Sequence, residues 1–566
     1  MLREAHQGTS VRVRRLVDAV NASDITTVTS MLSTRPELVD LDVSENDEHR
    51  ALHHAVLQRR PAIVRLLMQY GADARQGIWP HRDATSPLTI ATDRGYEEIV
   101  EVIREEETKR SGARAALPEA AVTSELIEAF RRGDEAALIR LFEASPALIN
   151  ASDPSKGTTA LHWAAACLWE NFAAWLLDRG ADERARTRSD RTPLDVLGSQ
   201  SVGRSPANRQ LVTKISQLLL RHGAERTIRW AVATGDADWV RACHAEGALL
   251  HEPDLVSFAV ASDQPEILSA LLEFGFDPDE RQRVSGIEEV VHSWGAPLRA
   301  CARTGNAAMA EILLEQGADP NTNVYAASSA MHEAMARHDS QMVRLLEKHG
   351  GIVNATTAAY LGLADRVRQL FEDEGAGRLP DGAVSRASAA EDVLEAAADG
   401  GHVEIVRMAL DHLDWRAGDA RWQGMLMRPF GKHEPSDRER YVACFRMIIE
   451  RSGTDLPWRF GRTSLHDVAA DWPRSAPMGA EERLAFATIL LEKGARLDAR
   501  DDLLKSTPLG WACRWGRIEL VSLLLARGAD PVEADAEPWA TPRAWAEKMN
   551  HHHVLAALQT RLESNS

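Results

Sequence analysis

The stretch TPLGWACRWGRIELVSLLLARGADP, residues 507–531, decides the fold. Thr507-Pro508 opens a helix, with proline in the first turn, where its missing amide costs nothing. Leu509, Trp511, Ala512 and Cys513 form an apolar stripe whose small members let a second helix approach. Gly516 breaks that helix, and Ile518, Val521, Leu523, Leu524 and Leu525 return at helical spacing. Gly528 stands where a helix ends in the left-handed conformation that glycine enters cheaply. A two-helix unit of this kind leaves apolar surface on both flanks. It therefore predicts further copies of itself along the chain.

The copies are there. The residues TPL, A-C, GR, ELV, LLL and GADP resemble the ankyrin repeat almost position by position. Residues 159–182, TALHWAAACLWENFAAWLLDRGAD, do so again, with the family's histidine at His162. The ankyrin period is about 33 residues, and Gly494 and Gly528, in successive GA signatures, lie 34 apart. The resemblance implies an all-α solenoid of about 16 helix–turn–helix repeats with β-hairpin fingers and several loop insertions.

Composition agrees with a soluble repeat protein. Of 566 residues, 44% are hydrophobic and 27% charged, and no run approaches the roughly 18 apolar residues of a membrane span. The N-terminal stretch MLREAHQGTSVRVRRLVDAV lacks the apolar core of a signal peptide. Five cysteines without metal-type spacing point to reduced thiols in a cytosol. STPLGWACRWGR looks like long bacterial ankyrin proteins, which points to a bacterial cytoplasm. A net charge of −18 argues against nucleic acid as a partner.

Along the chain the units group into residues 1–110 (an N-terminal block with its cap), 111–278 (a second block), 279–380 (central repeats) and 381–566 (C-terminal repeats with insertions and a cap). We expect one continuous array, each repeat touching only its neighbours. The second block echoes the first: residues 126–150 match 16–40, and His162 and Gly180 follow His53 and Gly71 by 109 residues. Insertions fall at 195–210, 278–295, 428–437 and 471–479. Removing 428–437 should change stability little if it only decorates the surface, because closure entropy grows slowly with loop length; a collapse of folding would mean that it packs into the array through Phe430.

In ankyrin proteins the two residues between the alanine pair and the next glycine face the concave groove. The resemblance places Arg94, Arg131, Arg132, Arg303, Arg337 and Arg514 there, with Trp515 as an exposed apolar anchor beside the last. Trp163, Trp230 and Trp511 are expected in the core. What this implies is a scaffold binding a protein partner. The arginines, in so acidic a chain, point to an acidic one. The helix dipole offers a second account of them, worth about 0.3–1 kcal/mol per cation at a helix C-terminus.

The alternative is an enzyme or a glycan-binding protein whose site is roofed by the insertions. Its candidate acid–base residues are His433 and Glu434, in RPFGKHE, with His466 and Asp467 one repeat on. Glu288, Glu289 and His292 form a further titratable cluster. No HExxH, P-loop, GxSxG or CxxC pattern occurs, so the reading carries no metal and no cofactor and favours binding over catalysis. It leaves room for a small-molecule ligand and includes no membrane contact.

Overall fold

The computed structural model describes residues 11–43, 48–79, 81–112, 124–153, 157–187, 190–197, 206–283, 292–322, 324, 328–430, 435–470 and 478–565. The fold is an all-α array. Thirty-two α-helices follow one another among the described residues, most of them packed on the helix that follows. The opening stretch forms the pair Pro508–Arg514 and Ile518–Ala526. The Thr507 hydroxyl accepts the Gly510 amide at 3.2 Å, capping the first helix. Leu509, Ala512, Cys513, Leu520, Val521 and Leu524 are buried. Gly528 turns the chain out at φ +94°, a conformation a side chain would strain.

A histidine ties successive units together. His466 Nδ1 accepts the Thr463 amide at 3.1 Å, which leaves the ring proton on Nε2, and Nε2 donates to the Ser506 carbonyl at 3.1 Å. Ser506 lies in the following hairpin. His162 repeats the arrangement, accepting from the Thr159 amide and donating to the Arg191 carbonyl. The duplicated blocks share their caps as well. Asp24 and Asp134 each accept the amide three residues on at 2.9 Å, and Pro36–Asp40 and Pro146–Leu148 are both 3-10 turns.

The chain divides into two compact units, residues 1–103 with 353–566, and residues 104–352. In the second, the described ends of the connection at 278–295 pair with each other. Gln282–Arg283 pairs antiparallel with His292–Ser293, so the expected long loop is a β-ribbon at its base. Glu288 and Glu289 lie outside the described residues. Among the described residues no helix is long and apolar enough to cross a membrane. No group of three or more His, Cys, Asp or Glu side chains there is arranged to hold a metal ion.

One expectation fails in the first unit. Leu503, far along the chain, is buried in one apolar cluster with Val56, Ile78 and Ile90, so repeats here do not touch only their sequence neighbours. Of the two alternatives for the insertion at 428–437, the described residues favour packing through Phe430. Phe430 is fully buried, with ring centroids 5.2 Å from Phe445 and 4.8 Å from Phe486. Arg428 reaches back to Asp399 at 3.2 Å and to Glu395. Burial still lifts the Asp399 carboxyl to about 6. The apolar ring, not the loop's length, decides the cost of removing this segment.

Phe430→Ala should therefore cost about 3–5 kcal/mol. Hydrogen exchange should show the loss in helices Arg438–Ser452 and Ala480–Glu492; unchanged protection there would show that the ring contributes no packing. His466 gives a test in pH. It is sealed from water, and burial holds its pKa below the ordinary histidine value. Below about pH 6.5 the unfolded chain binds a proton that the folded one refuses. The stability it confers is complete above that pH and is lost as pH falls. The advantage of wild type over His466→Gln in urea melts should shrink from about pH 7.5 to about pH 5. A constant advantage would mean the imidazole is not held neutral.

Candidate functional site

The slot residues close the first helix of each pair, and the two units treat them differently. In residues 104–352 they stay in water. Arg131 and Arg132 end the helix Ser124–Arg132, and both reach Glu128, at 2.8 and 2.5 Å. The Arg131 hydrogen bond, with Arg132 beside it, holds the Glu128 carboxyl below its ordinary value, and Glu128 offsets part of the local positive charge. Arg303 lies in the last turn of Ala296–Thr304, and Arg337 caps Ala330–Ala336. These two helices pack on each other. Both guanidinium groups are exposed, and neither forms an ion pair with a described residue.

Trp163 joins this exposed row. It is 39% exposed, whereas Trp230 and Trp511 are buried as expected. The correction follows from helix geometry. One residue past His162 is about 100° round the helix, which carries the indole away from the hairpin that His162 grips. Trp230 gains what Trp163 lacks, an indole hydrogen bond to the Ser216 hydroxyl at 2.5 Å.

In the first unit the same slots are filled. Arg514 is 4% exposed, with Nη1 3.1 Å from the Asp93 carboxylate and its guanidinium 4.7 Å from the Trp545 ring centroid. Lys548, in the next repeat's slot, approaches Asp93 at 2.9 Å. Arg94 donates to the Leu503 carbonyl at 2.5 Å and stands over Trp539 at 4.8 Å. Trp515 is half-buried, 5.0 Å from Trp511 and 5.7 Å from His81. Arg94, Arg514 and Trp515 therefore do not line an open groove here. Residues 81–94 of the same chain occupy it.

His466 and Asp467 are fully buried. His466 has both ring nitrogens engaged in the repeat framework, which removes it as an acid or base. Asp467 pairs with Arg462 at 3.2 Å and faces His81 at 3.8 Å. Burial lowers the His81 pKa, against the pull of Asp467. Beside them His81, Arg462, Asp501 and Trp511 line a cavity of about 10 Å³, room for roughly one water and no substrate. His433 and Glu434 lie outside the described residues. The residue that sequence reasoning passed over is Asp93. Its signal was present as a carboxylate in a slot otherwise rich in cations, and only the long-range packing shows what it meets.

Residues 16–111 match the family model described as Ankyrin repeats (3 copies), and residues 156–188, 296–323 and 505–536 each match Ankyrin repeat. Among curated relatives, Ankyrin repeat domain-containing protein 63 of Homo sapiens is 36% identical over 110 residues, 19% of this chain and 27% of that protein. A Transient receptor potential cation channel subfamily A member 1 homolog of Caenorhabditis elegans is 26% identical over 197 residues, 34% of this chain and 16% of the relative. Palmitoyltransferase Hip14 of Drosophila melanogaster is 55% identical over 47 residues, 8% of this chain and 7% of the relative. The chain thus spans well under a third of the length of these relatives. Within the matched segments lie the opening helix pair, its glycine exit and the start of the His162 tie, and the chain carries ankyrin repeats at residues 16–111, 156–188, 296–323 and 505–536.

Proposed function

We propose that the chain is a protein-interaction scaffold whose recognition surface is the row of first helices in residues 104–352, and that its partner presents carboxylates there. Ankyrin repeats are protein–protein interaction modules, which supports the general reading. The observation that carries the specific one is the pair Arg303 and Arg337, exposed and unpaired with described residues at the C-terminal ends of two packed first helices. A helix dipole alone explains a cation at each helix end. It does not explain why these two lack carboxylate partners while Arg299, on the same helix, pairs with Glu333 at 2.6 Å. Trp163 adds an apolar anchor of the kind that concentrates binding energy at interfaces. A cytosolic setting keeps the five free cysteines reduced. His466 and Asp467, sealed within the framework, lend no support to the catalytic alternative.

The test is to recover a partner from the source organism by crosslinking and measure its affinity for purified variants. Arg303→Glu with Arg337→Glu should weaken binding about 5–10-fold at low salt, and wild-type affinity should fall as salt rises past about 0.15 M. Glu311→Lys, on the exposed second helix Ala307–Glu315, should change nothing. Melting temperatures should match throughout. Equal effects from the two sets would remove the first-helix face as the surface and leave the dipole as the reason for the arginines.

A further inference from the structure

In the unit formed by residues 1–103 and 353–566, two successive repeats place cations in adjacent slots and close both on one carboxylate. Arg514 and Lys548 stand 3.1 and 2.9 Å from Asp93, and Lys548 also donates to the Thr92 carbonyl at 3.3 Å. Trp545 lies under both cations, its ring centroid 4.7 Å from the Arg514 guanidinium and 5.6 Å from Lys548 Nζ. Two fixed charges on an aromatic floor form a receptor for a carboxylate. The carboxylate bound in it comes from more than 400 residues away in the same chain. We infer that the Arg514–Lys548 pair is a carboxylate-binding site which the chain fills with its own Asp93, so that residues 81–94 and an acidic segment of a protein partner compete for it.

The inference rests on the reading of the chain as a scaffold for acidic partners and adds a second, self-occupied site to it. The chemistry of the contact favours exchange. Repeats stacked along the chain join through apolar side chains such as Leu490 and Leu524, which are fully buried. Leu503 and Phe460 supply apolar contact to the N-terminal segment, Phe460 lying 4.6 Å from His49. The rest is polar and incompletely satisfied. Asp93 Oδ2 and Asp467 Oδ1 are held by ion pairs, to Arg514 and Arg462, without a well-directed hydrogen bond; Asp467 Oδ2 is buried without one, and a water-sized cavity lies beside His81. Buried ion pairs of this kind add little net stability, because desolvation offsets most of the attraction. Removing the anion altogether is costly, since it leaves Arg514 buried and unpaired. Exchanging one carboxylate for another conserves the interaction. Asp93 is therefore replaceable by another carboxylate and poorly replaceable by nothing.

The experiment uses the full chain and a fluorescein-labelled ten-residue glutamate peptide, read by anisotropy, with hydrogen exchange over residues 81–94. Asp93→Asn keeps the side-chain shape and vacates the charge, so it should tighten peptide binding 10-fold or more and speed exchange in residues 81–94. Adding Arg514→Gln to Asp93→Asn should abolish the gain. In the wild type, which folds without question of a variant, saturating peptide should raise exchange in the same residues. Faster exchange in Asp93→Asn without tighter binding overturns the proposal, as does a wild type whose exchange ignores the peptide. The pair Arg303→Glu and Arg337→Glu separates the two readings. If only that pair loses peptide, the surface in residues 104–352 stands and this site falls. If only Asp93→Asn and Arg514→Gln move the affinity, this site stands and the other falls.

Discussion

A pair of short helices cannot hide its own apolar stripe, and everything else in this chain answers that constraint. The helix Pro508–Arg514 has seven residues, below the length at which an isolated helix holds in water. It persists because Leu509, Ala512 and Cys513 are covered by neighbours, and because Thr507 caps the first turn. The histidine ties serve the same end. His162 and His466 fix each first helix to the hairpin that follows, across 29 and 40 residues. Repetition supplies the burial, and the caps and ties set the register in which it happens.

The same constraint explains which parts of the fold could be read from sequence. Apolar period, proline starts and glycine exits are local, so the unit at residues 507–531 and its copies were legible without coordinates. The insertion at 428–437 was legible only as a choice between surface decoration and packing through Phe430. Phe430 sits in a segment whose composition is that of a loop, and its burial against Phe445 and Phe486 depends on side chains from two other helices. Trp163 erred in the opposite direction, since the core position assigned to it belongs to the preceding histidine. Each miss concerns one large side chain whose fate is decided by a neighbour and not by its own spacing.

The slot residues show the limit more sharply. Arg303 and Arg514 stand at equivalent places in their repeats, and nothing in their immediate sequence separates them. One guanidinium is in water and the other is closed over Asp93. The difference lies in what packs over each first helix, which is a long-range property of the chain. His466 and Asp467 carry the same lesson. Adjacent in sequence, they look like an acid–base pair, yet the repeat uses the imidazole as a framework bond and buries the carboxylate against Arg462.

Stacking and self-docking place different demands on the same helices. Stacking uses flanks that are apolar in every repeat, so it tolerates substitution as long as volume and pattern are kept. Docking of residues 81–94 uses first-helix ends, where the chain otherwise presents cations. Arg514 pays heavily in desolvation for its place, and burial lowers its pKa even beside Asp93. A surface that only had to be hidden would be better served by leucine, because apolar replacement of a buried ion pair is often neutral or stabilising. Retaining arginine, lysine and aspartate there gives the contact charge specificity that an apolar seal lacks. It holds one arrangement of the chain while leaving the cations able to meet a different carboxylate.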